Sequence, residues 1–230
     1  MVMDTIGKQI LSFSFIFFTH LFYSQSIIKD LDTFDTIKVF DKIQLVLVSS
    51  SEDKIEISGS KQNDVVVVQN GLLLKVRMSI ENMLDAGDTR VIVYYTGIKK
   101  IDANEGARVE VEGVLRENQL DIRAQEGARV IATIESEDLI GKAVTGGRLE
   151  LDGSVNKQSI RINSGGHFYG KNLNSALCNI SISAGGYADV KAKQYIKANT
   201  NAGGTIKIYG KPREIDSQKL LGGKIIEVNN

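Results

Sequence analysis

"EGARVEVEG" (residues 105–113) returns as "EGARVIATI" (residues 126–134), so the chain writes Glu-Gly-Ala-Arg-Val twice, 21 residues apart. A duplicated active-site loop and a structural repeat would both produce this. The rest of the chain decides between them. With the glycine of each "xG(G/A)" triplet as a marker, the series is Gly106, Gly127, Gly146, Gly165, Gly185, Gly203 and Gly222, at intervals of 21, 19, 19, 20, 18 and 19. Internal periodicity of this length is the signature of a solenoid.

The columns of the repeat say which kind. Three residues past the marker stand Val109, Val130, Leu149, Phe168, Ala188, Ile206 and Ile225, all apolar. Five residues before it stand Ile101, Ile122, Gly141, Ile160, Ile180 and Ala198, and three before it Ala103, Ala124, Ala143, Ile162, Ile182 and Thr200. Asp102, Arg123, Lys142, Arg161, Ser181 and Asn199, all polar, lie between these two columns and are expected on the outer face. Alternation of period two on both sides of a glycine predicts two short strands per repeat, each with one face in and one out. The object that satisfies this is an all-β, parallel β-solenoid (β-helix) with rungs of about 19 residues, successive rungs pairing at about 4.8 Å. The glycines fall at the corner, where positive φ or a missing Cβ permits a tight bend. Cys178 shares the inward parity of Ile180 and Ile182 and reads as a core thiol.

Upstream, residues 34–97 keep strand chemistry and lose the marker. "FDTIKVFDKIQLVLVSS", "DKIEISG", "DVVVVQNGLLLKV" and "RVIVYY" follow one another with turn signals between them. "QNGLL" (69–73) predicts a hairpin with Asn70-Gly71 at its turn, and "ENMLDAGDT" (81–89) a surface loop. This less regular N-terminal β region is expected either to continue the solenoid or to cap it, since exposed solenoid ends need covering.

Composition bounds the rest. The 230 residues, 42% of them hydrophobic, suit a globular protein, and 28 basic residues balance 28 acidic ones. A net charge of zero supplies no long-range field for nucleic acid, which is excluded as an expected partner. Residues 1–9 are weakly charged and lead into the apolar "ILSFSFIFFTHLFYS" (10–24), the layout of a secretory signal peptide with cleavage near Ser24 or Ser26. That run is shorter than the roughly 20 residues of a spanning helix, so no transmembrane segment is expected after cleavage. The expected division is a signal at 1–26, an N-terminal β region or cap at 27–98, and solenoid repeats at 99–230. Cys178 is the only cysteine, so no disulfide within the chain is available to stabilise an exported fold.

The order of these features resembles the auto-transporter adhesin head GIN domain family of secreted or envelope proteins. The resemblance rests on "FDTIKVFDKIQLVLVSSSEDKIEISGS", "NGLLLKV", "VIVYYTGIKKIDANEGARVEVEG" and the SGG and AGG rungs, and it covers about residues 34–228. It implies the architecture and an exported location, periplasmic, cell-surface or extracellular. It supplies no catalytic residues.

Candidate chemistry is confined to one column. Two residues past each marker the side chain should point outward, giving Arg108, Arg129, Arg148, His167, Tyr187, Thr205 and Lys224. Stacked arginines followed by His167 and Tyr187 form a ridge suited to a carboxylate, a sulfate or a sugar, because guanidinium forks grip such groups and aromatic faces stack on sugar rings. The competing reading is a surface ladder neutralised by Glu105, Glu126, Glu110 and Glu150, and the closeness of these acids in sequence favours it. No cofactor, metal or catalytic residue is expected. His20 and His167 are the only histidines, and Asp121, Asp152, Asp189 and Asp216 fall at unlike places in their repeats, against the paired carboxylates that hydrolysis needs. The function expected is non-enzymatic binding of a glycan or a cell-surface protein. The alternatives are a β-helix enzyme with a divergent carbohydrate site and a self-associating structural envelope protein; a homo-oligomer is left open.

Overall fold

The computed structural model describes residues 26–228, so the expected signal segment, Ser26 apart, lies outside the described residues. Within that range there is no α-helix. The irregular first part holds β1 (Ile27–Asp30), β2 (Thr36–Val39), β3 (Gln44–Ser49), β4 (Lys54–Ser58), β5 (Val65–Asn70), β6 (Leu73–Met78), β7 (Arg90–Tyr95) and β8 (Lys100–Ala103). Three long strands follow, β9 (Arg108–Gln125), β10 (Arg129–Val144) and β11 (Arg148–Asn163). The chain ends in β12 (His167–Tyr169), β13 (Leu173–Ser183), β14 (Tyr187–Lys191), β15 (Tyr195–Asn201), β16 (Thr205–Tyr209), β17 (Glu214–Leu220) and β18 (Lys224–Glu227).

The repeat is a parallel β-solenoid. Val130 pairs with Val109 on one side and Leu149 on the other, and the register Arg129↔Arg148 shows a rung of 19 residues. Val109, Val130, Leu149, Phe168, Ala188 and Ile206 are each 0% exposed. The inner columns meet across the rod: a Cβ on Gly141 would lie 3.4 Å from Leu149 Cδ1 and 2.7 Å from Ile160 Cδ1. This glycine is a matter of space, not of turning. The expectation of two strands per rung holds only from β12 onward. In β9 to β11 one strand bends through nearly the whole rung and is broken only at the marker.

At the marker the backbone makes a two-residue turn. Glu126 (φ 54°) and Gly127 (φ 75°) are both left-handed, and the Ala128 N–H donates to the Gln125 carbonyl at 3.0 Å. Two left-handed residues closed by such a bond make a type I′ turn. Thr145 and Gly146 repeat it at 48° and 73°. Successive turns bond to each other, Gly127 N–H to the Thr145 carbonyl at 3.0 Å and Gly146 N–H to that of Ser164 at 3.2 Å.

The upstream strands contain a rung that the glycine marker misses. Asp41 (φ 59°) and Lys42 (φ 60°) form the same turn, closed by Ile43 N–H to the Phe40 carbonyl at 3.2 Å and stacked on the next rung through Lys42 N–H to the Glu105 carbonyl at 3.0 Å. Its strands are out of chain order. β2 is parallel to both β6 and β8, and β3 to both β7 and β9. The first rung in sequence is thus the second in space, between 73–95 and 100–112. Antiparallel pairs β5–β6, β4–β7 and β1–β4 finish this end. The β5–β6 hairpin turns at Gly71-Leu72, one residue later than expected, because Asn70 and Leu73 pair as the last strand residues. At the other end β17 and β18 pair only inward, with β15 and β16, among the described residues.

Candidate binding face

The strands that follow the tight turns form one face of the rod, and register places its outward side chains in columns. Arg108, Arg129, Arg148, His167, Tyr187, Thr205 and Lys224 are successive partners, so the seven positions singled out from sequence stand in one line. Beside it runs a second line two residues further along each strand: Glu110, Ile131, Glu150, Tyr169, Asp189, Lys207 and Ile226. Sequence reasoning passed over this column. Its signal was available, since it has the same outward parity as the first.

The two columns divide the face into unlike halves. Arg108 pairs with Glu110 at 3.6 Å, and Arg129 is bonded to Glu150. Among the described residues Glu105 and Glu126 make no ion pair with these arginines, since the tight turn intervenes. Arg148 has no carboxylate partner among the described residues and lies over Tyr169, 5.6 Å from the ring centre. From there the face is aromatic and cationic. His167 stacks on Tyr169 at 6.1 Å, Tyr169 meets Tyr187 at 5.8 Å, and Lys207 covers Tyr187 at 5.5 Å. The Tyr187 hydroxyl donates to Asp189 at 2.7 Å.

Proton affinities follow this layout. Partial burial and then the Arg148 charge hold the His167 imidazole below its ordinary pKa of 6.5, because both disfavour a second cation there. Burial, then the bond to Asp189, raises the Tyr187 phenol, and burial with the Asp189 charge raises Tyr209. Both phenols remain protonated donors at neutral pH.

A groove of about 820 Å³ takes in part of both columns and is lined by Arg148, Glu110, Glu150, Asp152, Tyr169 and Lys171 together with Asn172, Ile131 and Ala132. It contains a stacking ring, a guanidinium, an ammonium, three carboxylates and an amide, a set able to bond sugar hydroxyls and hold a ring against an aromatic face. Among the described residues no three His, Cys, Asp or Glu side chains are placed to hold one metal ion, and no helix is long and apolar enough to cross a membrane.

The opposite face is built differently. Arg123 forks onto Asp121 with two bonds of 2.7 Å. Asp102, expected on the outer surface, is only 5% exposed, because Asn104, Gln125 and Lys38 close over it. These pairs neutralise one another.

The family described as "Putative auto-transporter adhesin, head GIN domain" matches residues 33–212. No curated protein sequence matches the chain. A crystal structure of a "putative adhesin" from Bacteroides fragilis NCTC 9343 superposes with a TM-score of 0.80 at 18% identity, covering 89% of this chain and 97% of that one. A "putative adhesin" from Parabacteroides distasonis ATCC 8503 gives 0.71 at 17% identity, over 89% and 96%. A "Putative lipid binding protein" from the same organism gives 0.66 at 14% identity, over 89% and 97%. At these identities the likeness is one of fold.

Proposed function

We propose, from the premise that this chain belongs to the auto-transporter adhesin head GIN domain family, that it is an exported, non-enzymatic binding module. Its solenoid presents the ridge Arg108, Arg129, Arg148, His167 and Tyr187 to a glycan at the cell envelope. The observation that carries this reading is the in-register line of cations and rings, in which Arg148 and Lys207 cover Tyr169 and Tyr187 instead of pairing with acids. Half-buried aromatic rings and unpaired cations side by side on a rigid sheet give stacking area and hydrogen-bond donors at a reduced ordering cost on binding. A sugar chain uses both. The fold supports the same reading: strands pinned on both sides hold the ridge in one geometry, as a preorganised site requires.

Glycan-array and pull-down binding with the purified protein tests the proposal, with an Arg129→Ala/Arg148→Ala double variant as control. Selective binding that weakens in the double variant is expected. Unchanged binding in that variant would eliminate the ridge.

A second reading, end-to-end self-association, is favoured by β17 and β18. Leu220 and Leu221 near this end are 58% and 78% exposed, and an open strand edge is a template for another strand. Sedimentation that depends on protein concentration would reveal it.

A further inference from the structure

The face carries a second, smaller groove that the reading above does not use. It measures about 360 Å³ and is lined by Lys171, Asn172, Lys191, Tyr209 and Lys211 together with Gly210 and Val228. Lys171 and Asn172 also line the larger groove, so the two depressions are neighbours on either side of the bend between β12 and β13.

The charge in the smaller groove is one-sided. Lys171, Lys191 and Lys211 form no ion pair among the described residues, and neither Asp nor Glu lines the groove. On other parts of the rod Arg116 is matched with Glu135, Arg123 with Asp121 and Arg129 with Glu150. Lys191 ends β14, while Lys171 and Lys211 stand in the connections after β12 and β16, and like charges lining one groove repel one another. An anion removes that cost, so the site is poised for one. Lys171 holds its ammonium over the Tyr209 ring, 5.3 Å from its centre, so a cation and a ring adjoin in the lining. Gly210 supplies the room: a Cβ there would stand 3.0 Å from Lys191 Cγ and 2.6 Å from the Ala192 carbonyl.

We infer that this groove selects an anionic glycan, holding a sulfate or carboxylate substituent among Lys171, Lys191 and Lys211 while a sugar ring lies on Tyr209. The inference rests on the glycan reading of the ridge and names the substituent that it prefers. Because the whole chain is neutral, the attraction is local and is screened beyond about 10 Å at 0.1 M salt. Such a cage recognises one charged substituent, not a polyanion by its overall field. Phospholipid head groups carry similar charge, but apart from those built on inositol they offer no ring for Tyr209.

The test compares a sulfated oligosaccharide, an oligogalacturonate and a neutral oligosaccharide of equal length, with vesicles of anionic phospholipid as a further arm. Each is titrated against the protein and against Lys171→Gln/Lys191→Gln/Lys211→Gln, whose unfolding midpoint is measured alongside. The protein is expected to bind a charged glycan at least roughly tenfold more tightly than the neutral one, the strength of a single charge-assisted bond. The triple variant should lose that preference and keep the neutral binding. Preference for sulfate or for uronate identifies the substituent. Equal binding of charged and neutral glycans, the same in both proteins, overturns the inference and leaves the ridge proposal standing. Absence of binding to every glycan defeats both. Lysine-dependent binding to vesicles with none to glycans overturns the assignment to a sugar.

Discussion

Arg148 lies over the ring of Tyr169, 5.6 Å from its centre, whereas Arg129, one rung away in the same column, is bonded to Glu150. Two arginines in equivalent backbone positions therefore present different free charge. Their neighbours one strand over decide which is neutralised. His167, next in the column, registers the difference.

The imidazole of His167 should titrate below 6.5, mainly because it is partly buried and secondarily because Arg148 stands beside it. Arg148→Gln is expected to move it part of the way back, since burial remains. For a base depressed in the fold, the native state binds fewer protons, so the contribution to stability is present above 6.5 and lost as the pH falls toward the lowered value. NMR titration of the ring protons reads this directly. A His167 pKa above 6.5, or one unmoved by Arg148→Gln, contradicts the layout.

The paired glycines at a corner have separate jobs and should tolerate alanine differently. A Cβ on Gly146 meets nothing nearer than 4.0 Å, but its φ of 73° is left-handed, so Gly146→Ala should cost about 1–2 kcal/mol. A Cβ on Gly147 would fall 2.0 Å from the Ala124 carbonyl oxygen. Backbone must move there, and Gly147→Ala should cost about 3 kcal/mol or more, or abolish folding. Urea unfolding of the two variants settles the order; equal losses would contradict it.

Glu105 gives the rod a pH dependence at its upstream end. Burial, then the neighbouring Asp41 and the charge of Glu126, raise its carboxyl above 4.5. Asp41 is itself buried, with one oxygen accepting the Met78 N–H at 3.0 Å. An acid raised in the fold stabilises it below the unfolded value, and that stability is lost as the pH rises from 4.5 through the folded one. Glu105→Gln should therefore unfold at higher urea than the parent at neutral pH and show a flatter profile between acid and neutral. A variant less stable than the parent at neutral pH would refute this.

Cys178 is 2% exposed, and burial lifts its thiol far above the ordinary range. The thiolate is the reactive form. A thiol reagent should label the folded protein only as fast as it unfolds, and promptly in urea. Fast labelling of the folded state would place this side chain outside the core.

The repeat was legible because each turn needs the same backbone, and a left-handed position next to a close approach admits little but glycine. Val109, Val130 and Leu149 were expected to stack, and they do. The Asp41-Lys42 turn was not legible by that rule, since Lys42 takes the left-handed position that glycine holds in the later turns and the turn carries no glycine pair. The swap in strand order was invisible too, because periodicity records which residues face inward and not which rung lies beside which. On the binding face, position in the column was readable, but free charge was not. Arg129 and Arg148 look alike in sequence, and only the strand beside them separates Glu150 from Tyr169.

The interior placement of β2 and β3 gives the molecule a mechanical polarity. Tension applied at residue 26 first lifts β1 from β4, its one partner, and then must shear β2 and β3, a slab held on both sides, breaking two sets of parallel bonds at once. Tension applied beyond residue 228 peels β18 and β17, which are held on one side only, and each coil released exposes the next. A tether at the leading end would therefore resist flow, while one at the trailing end would unravel like a zip.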